Sequence, residues 1–361
     1  RVVFLAFVFH SLGIIQNAIL TKRIAQMELA MVNLGSILLS CIFGLIFALL
    51  NYAHWAIAIQ AVSLSFFRTI LLWTMSSWRP VSSLCLPALK KMFPFSVKLL
   101  FSGIITQLAG GAYSFVLGKY YDADQVGYYT QANNWYTIPY SIVYGIINTL
   151  ALPVLSEVSD EKDRQRAVFR KMMRFSAFIS FPMILGLAFI ANEFILVLVT
   201  DKWLGAVAIL QILCIWGAFT PIYSLYANVM ISRGYPGVNL AFSLVNGIFQ
   251  IGTIIATVHL GVVPLLLFAT GINLLTLVAY QIVSWKLLRF GLTDFYRDVF
   301  PFVAITMAVF FVVSLLLKPV DNIYILLVLK IVLSAFLYVA ALKLLRVVIL
   351  EEVVMYFTTK F

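Results

Sequence analysis

Two rows of hydroxyl and carboxamide side chains recur at helical spacing inside stretches that are otherwise apolar. One row is Gln131, Asn134, Thr137, Ser141, Tyr144 and Asn148, and the other is Asn239, Ser243, Asn246, Gln250, Thr253 and Thr257. Steps of three and four residues put each row on one helix face. The chemistry open to them is hydrogen bonding, and in an apolar setting such a face either joins helices or lines a hydrated cavity. Length and an internal proline, Pro139, point the first row toward a cavity, because the ring interrupts the helix and frees a backbone carbonyl; for the second both roles stay open. Two cations also lie inside apolar stretches. Arg68 sits midway along one, and Lys98 is followed on its face by Ser102, Thr106 and Gly110. Either suits an anionic substrate group, although Arg68 can instead pair with a carbonyl and Lys98 is close enough to a stretch end to snorkel.

The elements that must position these residues are eleven apolar stretches: Val2–Leu20, Leu29–Leu50, Trp55–Met75, Phe95–Leu117, Val126–Leu150, Phe175–Thr200, Leu204–Ile231, Val238–Val258, Val262–Trp285, Val299–Leu317 and Ile323–Leu342. About 20 residues of helix span the hydrocarbon of a bilayer. With 63% hydrophobic and 11% charged residues over 361 positions, the chain reads as an all-α polytopic membrane protein of about eleven transmembrane helices. Eighteen of its 25 Lys and Arg residues fall in the junctions on one side, and four, Arg1, Lys119, Lys202 and Lys318, on the other. The positive-inside rule then puts the C-terminus in the cytoplasm and Arg1 outside. That orientation implies an odd number of helices, about three, ahead of Arg1 in a longer parent chain.

The net charge of +11 follows from these loops and their attraction to anionic headgroups, so it does not point to nucleic acid. Cys41, Cys85 and Cys214 have no paired spacing, so neither a disulfide nor a metal site is implied. Glu193 reads as a solvated group near the outer boundary, Lys330 as a snorkelling cation or one facing a groove, and Glu157–Arg174 as a solvated connector. Trp55, Trp78, Trp203 and Trp285 stand at stretch ends as interfacial anchors. Sliding the chain by 210 residues lays Ile15–Trp73 over Leu225–Val283, with Arg23 on Arg233 and the polar Asn33, Ser36 and Ser40 on Ser243, Asn246 and Gln250. Six intervening helices would give the two copies one orientation, as in parallel transporter repeats.

Several runs, in order along the chain, resemble the Wzx-type oligosaccharide flippases of the polysaccharide transporter family, within the MOP superfamily that also holds the MATE exporters and the lipid II flippase. They are Leu12–Arg23 (LGIIQNAILTKR), Phe66–Ile70 (FFRTI), Val126–Asn134 (VGYYTQANN) with Pro139, Leu152–Ser156 (LPVLS) and Asp201–Trp203. The resemblance implies a two-lobed bundle with alternating access and no cofactor. Residues 1–92 would be the remainder of the N-terminal lobe, 93–290 the C-terminal six-helix lobe and 291–361 two additional helices. It implies a bacterial inner-membrane carrier of undecaprenyl-diphosphate-linked oligosaccharide, acting with membrane lipids, a polysaccharide polymerase and a chain-length regulator. Arg68 and Lys98 would attract the diphosphate, while Tyr128 and the Gln131–Asn148 row would bond the sugars. Many relatives carry an Asn-x-Asp-like pattern shortly before Gly118, where this chain has Gly111-Ala-Tyr-Ser114, so no acidic ion-coupling residue carries over there. A MATE-like exporter of cations would want acids in its cavity, yet nearly all 14 acids lie at boundaries or in loops. A membrane polymerase or acyltransferase would want grouped catalytic side chains, and His10, His54 and His259 are scattered. There is no GxxxxGK[ST] run to bind a nucleotide phosphate.

Overall fold

The computed structural model describes residues 2–50, 53–80, 86–345, 347 and 349; Arg1, Cys85, Arg346 and Lys360 lie outside the described residues. All regular structure among the described residues is helical. Among the described residues ten helices are long and apolar enough to cross a membrane, and an eleventh span results if the bent pair at the start counts as one. The protein is a multi-pass helical membrane protein.

The first compact unit covers Arg1–Pro87. It holds α1 (Leu5–Leu12), α2 (Ile14–Lys22), α3 (Gln26–Leu49) and α4 (Ala53–Met75). The axis bends by 44° between α1 and α2, at Gly13. There the Gly13 amide bonds to the His10 carbonyl instead of that of Phe9. The carbonyls left free find side chains of α4: Thr69 donates to Phe9 at 2.7 Å and Trp73 to Leu12 at 3.0 Å. A Cβ on Gly13 would lie 3.0 Å from Leu72, so glycine admits the close approach.

The second unit runs from Ala88 to Phe361. Its helices are α5 (Leu86–Tyr120), α6 (Ala123–Glu157), α7 (Lys162–Ser180), the short α8 (Gly186–Phe189) and α9 (Ala191–Phe194), then α10 (Ala206–Ser232), α11 (Pro236–Thr257), α12 (Val262–Leu288), α13 (Leu292–Leu316) and α14 (Ile323–Leu344). Central in this unit is α10, whose Leu210, Cys214, Ala218, Ile222 and Leu225 are fully buried and share a core with α6 and α7.

Two sequence expectations are overturned here. The helix α6 is continuous through Pro139, with no break at the proline. The sixth stretch, expected as one apolar run from Phe175, begins in fact at Lys162, so the stretch taken for a solvated connector is mostly helix. After Ser180 it passes into a π-turn over Phe181–Leu185. Pro182 lacks the amide that would bond Phe178, and the Phe178 carbonyl is taken instead by the Tyr338 hydroxyl of α14 at 2.9 Å.

Ion pairs stitch α13 and α14 to the rest of this unit at both ends. Arg166 meets Asp294 at 2.7 Å, and Arg170 meets Asp298 through Nε at 2.7 Å and Nη2 at 3.0 Å. Arg174 adds a longer contact to Asp298 at 3.7 Å. Asp298 is only 2% exposed, so water cannot replace these partners. Far along the sequence, Lys330 of α14 pairs with Glu193 of α9 at 2.8 Å and lies over the Phe189 ring. Glu193 is therefore a buried, paired group, contrary to the sequence expectation of a solvated one, and of the two readings of Lys330 the structure matches the groove-facing one.

The 210-residue repeat has a backbone counterpart. α2 ends at Lys22 and α10 at Ser232, and α3 starts at Gln26 where α11 starts at Pro236, each pair 210 apart. In the turns, the amides of 23, 24 and 25 bond to the carbonyls of 19, 21 and 20, and those of 233, 234 and 235 to 229, 231 and 230. Both turns place one residue in the left-handed region, Ile24 at φ 55° and Gly234 at φ 77°. A β-branched residue there is strained by about 1–2 kcal/mol. Ile24→Gly is accordingly expected to raise the melting temperature of the purified chain, and Gly234→Ile to lower it, each by the equivalent of about 1 kcal/mol. Asp298→Ala should cost about 2 kcal/mol in the same thermal-unfolding measurement. Glu161→Ala, which removes only the exposed pair with Arg164, should leave the melting temperature in place.

Candidate functional site

Within the second unit, α5, α6, α10, α11 and α12 enclose a cavity of about 700 Å³. The wall formed by α11 is the second polar row. Ser243 shares a hydroxyl–hydroxyl bond of 2.6 Å with Ser102 of α5, which also accepts from Asn239 at 2.9 Å. Tyr280 of α12 donates to Asn239 at 3.0 Å. One turn further, Thr276 donates to Asn246 at 3.0 Å, and Gln250 donates to Asn273 at 2.8 Å and accepts from the Tyr113 hydroxyl. The row thus does both things left open by its spacing: it joins α5 and α12 to α11, and its members Asn239, Ser243, Asn246 and Gln250 face the cavity.

The wall contributed by α6 is aromatic. Tyr136 stacks on Tyr140 at 5.2 Å between ring centroids, and Tyr140 on Tyr144 at 5.4 Å, a ladder of four-residue steps. Tyr140, Tyr144 and Tyr129 line the cavity, with Trp216 and Tyr223 of α10 among the residues facing them. Asn148 sits beyond the end of the ladder and accepts from Asn228 of α10 at 3.1 Å. Among the described residues, seven carboxamides and six aromatic side chains face this space, and no Asp, Glu, Lys or Arg does.

Of the residues singled out from sequence, the cavity gathers Ser102, Thr106, Tyr144, Asn148, Asn239, Ser243, Asn246 and Gln250. Others stand apart from it. Asn134, Thr137 and Ser141 are exposed about a quarter-turn round α6 from the tyrosines, and the two hydroxyls bond their own helix. Gln131 is half-buried away from the cavity lining. Tyr128 packs its ring edge-on against Trp203 and over Gly205, which places it in the packing between α6 and the start of α10. Lys98 is exposed, its amine beside Gly237 at the start of α11. Arg68 lies in the first unit, half-buried, with its Nε shielded from solvent and unpaired among the described residues. The residues that sequence reasoning passed over are chiefly Tyr140, Trp216, Tyr223 and Asn228. The four-residue spacing of Tyr136, Tyr140 and Tyr144 was the signal available for the ladder.

A second cavity, of about 670 Å³, lies between α6, α7, α13 and α14, with a lining that is almost wholly apolar apart from Lys330, Ser334 and the Trp135 indole. No group of three or more His, Cys, Asp and Glu side chains able to hold a metal ion occurs among the described residues.

The sequence signature of the family described as "Polysaccharide biosynthesis protein" matches residues 1–208. The chain belongs to this family. It is similar to the teichuronic acid biosynthesis protein TuaB of Bacillus subtilis (strain 168), 26% identical over 83% of this chain and 62% of that one. Similar too are the lipopolysaccharide biosynthesis protein WzxC of Escherichia coli (strain K12), 24% identical over 62% and 47% of the two chains, and the succinoglycan biosynthesis transport protein ExoT of Rhizobium meliloti (strain 1021), 22% over 80% and 58%. The chain therefore spans less than two thirds of the length of these relatives. In fold it matches the lipid II flippase MurJ in an inward closed conformation, with a TM-score of 0.60 at 18% identity over 87% of this chain and 67% of that one.

Close approach between α6 and α10 fixes the tyrosine ladder. A Cβ on Gly217 would fall 2.2 Å from Tyr136, the ring on which Tyr140 and Tyr144 are stacked in turn. Gly217→Ala should therefore displace the ladder and destabilise the chain by about 1–3 kcal/mol in thermal unfolding. Gly145→Ala, where the added carbon meets nothing within 4 Å, is expected to be neutral.

Proposed function

We propose that this family member works in the transbilayer movement of a lipid-linked oligosaccharide, an undecaprenyl-diphosphate-bound repeat unit, for export of a polysaccharide. The observation that carries this reading is the polar, uncharged, aromatic-walled cavity built from spans of the second unit. A glycan head could not cross hydrocarbon bare, because each unpaired hydroxyl costs several kcal/mol. A walled space of hydroxyls and carboxamides supplies those bonds, while the lipid tail stays in the bilayer. The names of the relatives, which include a succinoglycan biosynthesis transport protein, support the same reading.

In this reading the protein is not an enzyme. It resides in the bacterial inner membrane with its basic junctions and C-terminus toward the cytoplasm, where cationic loops are retained. Alternating access, with the cavity open to one face and then the other, moves the cargo. Arg68 and Lys98 draw the diphosphate, and the glycosyl groups meet Tyr144, Asn148 and the α11 row. A polysaccharide polymerase and a chain-length regulator act downstream as partners. Export of cationic drugs is less well served, since no carboxylate among the lining residues would balance the cargo's charge.

Expression in a flippase-null strain tests the reading. Wild-type sequence is expected to restore polysaccharide export, and Arg68→Glu to reduce it by about tenfold or more at equal membrane abundance, the reversal of charge turning attraction for the diphosphate into repulsion. Full export by the variant would remove Arg68 from the cargo path. Uptake of a defined lipid-linked sugar into vesicles containing the wild-type protein would have to fail for the carrier reading itself to fall.

A further inference from the structure

We infer that the cavity of the second unit takes an uncharged glycosyl segment and rejects one bearing carboxylates; this rests on the oligosaccharide-carrier reading and names the class of cargo it selects. Three features of the wall point there.

The first is charge. None of the described residues lining the space carries a charge. Lys98 is exposed and set beside Gly237, and Arg233 at the adjoining turn gives its Nε to Gln165 at 2.6 Å while its Nη2 is shielded from solvent and unpaired among the described residues; neither cation is among the lining residues. A carboxylate entering the space would give up part of its hydration for neutral partners and meet no counter-charge among the described lining residues. A neutral hydroxyl has no such requirement.

The second is the bonding capacity left over after the helices have been joined. Asn148 and Asn273 use their Oδ1 atoms as acceptors, and their Nδ2 groups have no partner among the described residues. Gln107 and the hydroxyls of Tyr129, Tyr140 and Tyr144 likewise form no hydrogen bond with described residues. Carboxamides and phenols can each donate and accept, which matches a sugar hydroxyl, itself both donor and acceptor.

The third is shape. Stacked tyrosines on α6 and Trp216 against Tyr223 on α10, at 5.8 Å between centroids, offer flat aromatic surface beside these polar groups. The C–H faces of pyranose rings pack on such surfaces, while their equatorial hydroxyls reach the amides at the edges. A volume of about 700 Å³ is within the roughly 300–1,000 Å³ usual for small-molecule sites.

Binding to the purified chain in lipid nanodiscs separates the cases, using two probes with the same rings and linkages. One is cellotetraose, and the other is the same tetrasaccharide with each C6 oxidised to a carboxylate. Titration calorimetry is expected to show the neutral probe binding about tenfold tighter or better. Gln107→Arg, on an exposed cavity-lining position with no bond to lose, should narrow or reverse that preference by supplying the missing counter-charge. Equal or tighter binding of the oxidised probe by the wild type would overturn the inference, and so would absence of binding by both at millimolar concentration. Either result would leave the carrier reading to its own vesicle assay, which uses a lipid-linked cargo. The wild-type comparison decides the matter even if the arginine variant fails to fold.

Discussion

In hydrocarbon every polar group of the chain has to find its partner inside the protein. The second unit meets that demand along α11, whose buried hydroxyls and amides take partners from α5 on one side and α12 on the other. The same bonds that hold three helices together keep these side chains from turning toward lipid, and so hold them at the wall of the cavity. Cohesion and a polar-lined interior are two results of one arrangement. For that reason the choice between helix glue and cavity lining, which the spacing of Asn239 to Thr257 leaves open, is not a real choice in the folded chain.

Much of the architecture was legible because apolar length and periodicity are local signals. Eleven stretches were read, and ten long spans plus one bent pair are found. The polar face of α11 was equally readable, since Asn, Ser and Gln at steps of three and four stand out in an apolar run. The tyrosine ladder was hidden by its own chemistry: an aromatic every fourth residue looks like ordinary core, and only the neighbouring α10 shows that Tyr140 and Tyr144 face open space. The row from Asn134 to Ser141 drew attention by polarity but lies round the helix from that space. Long-range pairs left no trace at all. Glu193 and Lys330 are 137 residues apart, and neither segment alone reveals that the other charge exists. The early start of α7 was missed for a related reason, because Arg166 and Arg170 look like solvent-facing residues until Asp294 and Asp298 are brought against them.

The paired turns at residues 21–25 and 231–235 share one backbone pattern although their side chains differ. Hydrogen bonds of the two turns correspond one for one, although one turn has glycine at the left-handed position and the other isoleucine. The two segments share few identical residues, and what they have in common is dihedral angles and bond pattern. The helices leaving the two turns then carry their polar residues at matching steps along the chain, Asn33, Ser36 and Ser40 on α3 and Ser243, Asn246 and Gln250 on α11.

The hairpin of α13 and α14 is fastened at one end by arginines of α7 and at the other by Glu193, with the Tyr338 hydroxyl seated between on a carbonyl that Pro182 leaves free. Slippage of the hairpin by one helical turn, about 5.4 Å, would break all three fastenings together. Its register is therefore all-or-none, like a ruler pinned at two marks. Bending within the second unit must carry these two helices as cargo of α7, with no sliding of their own.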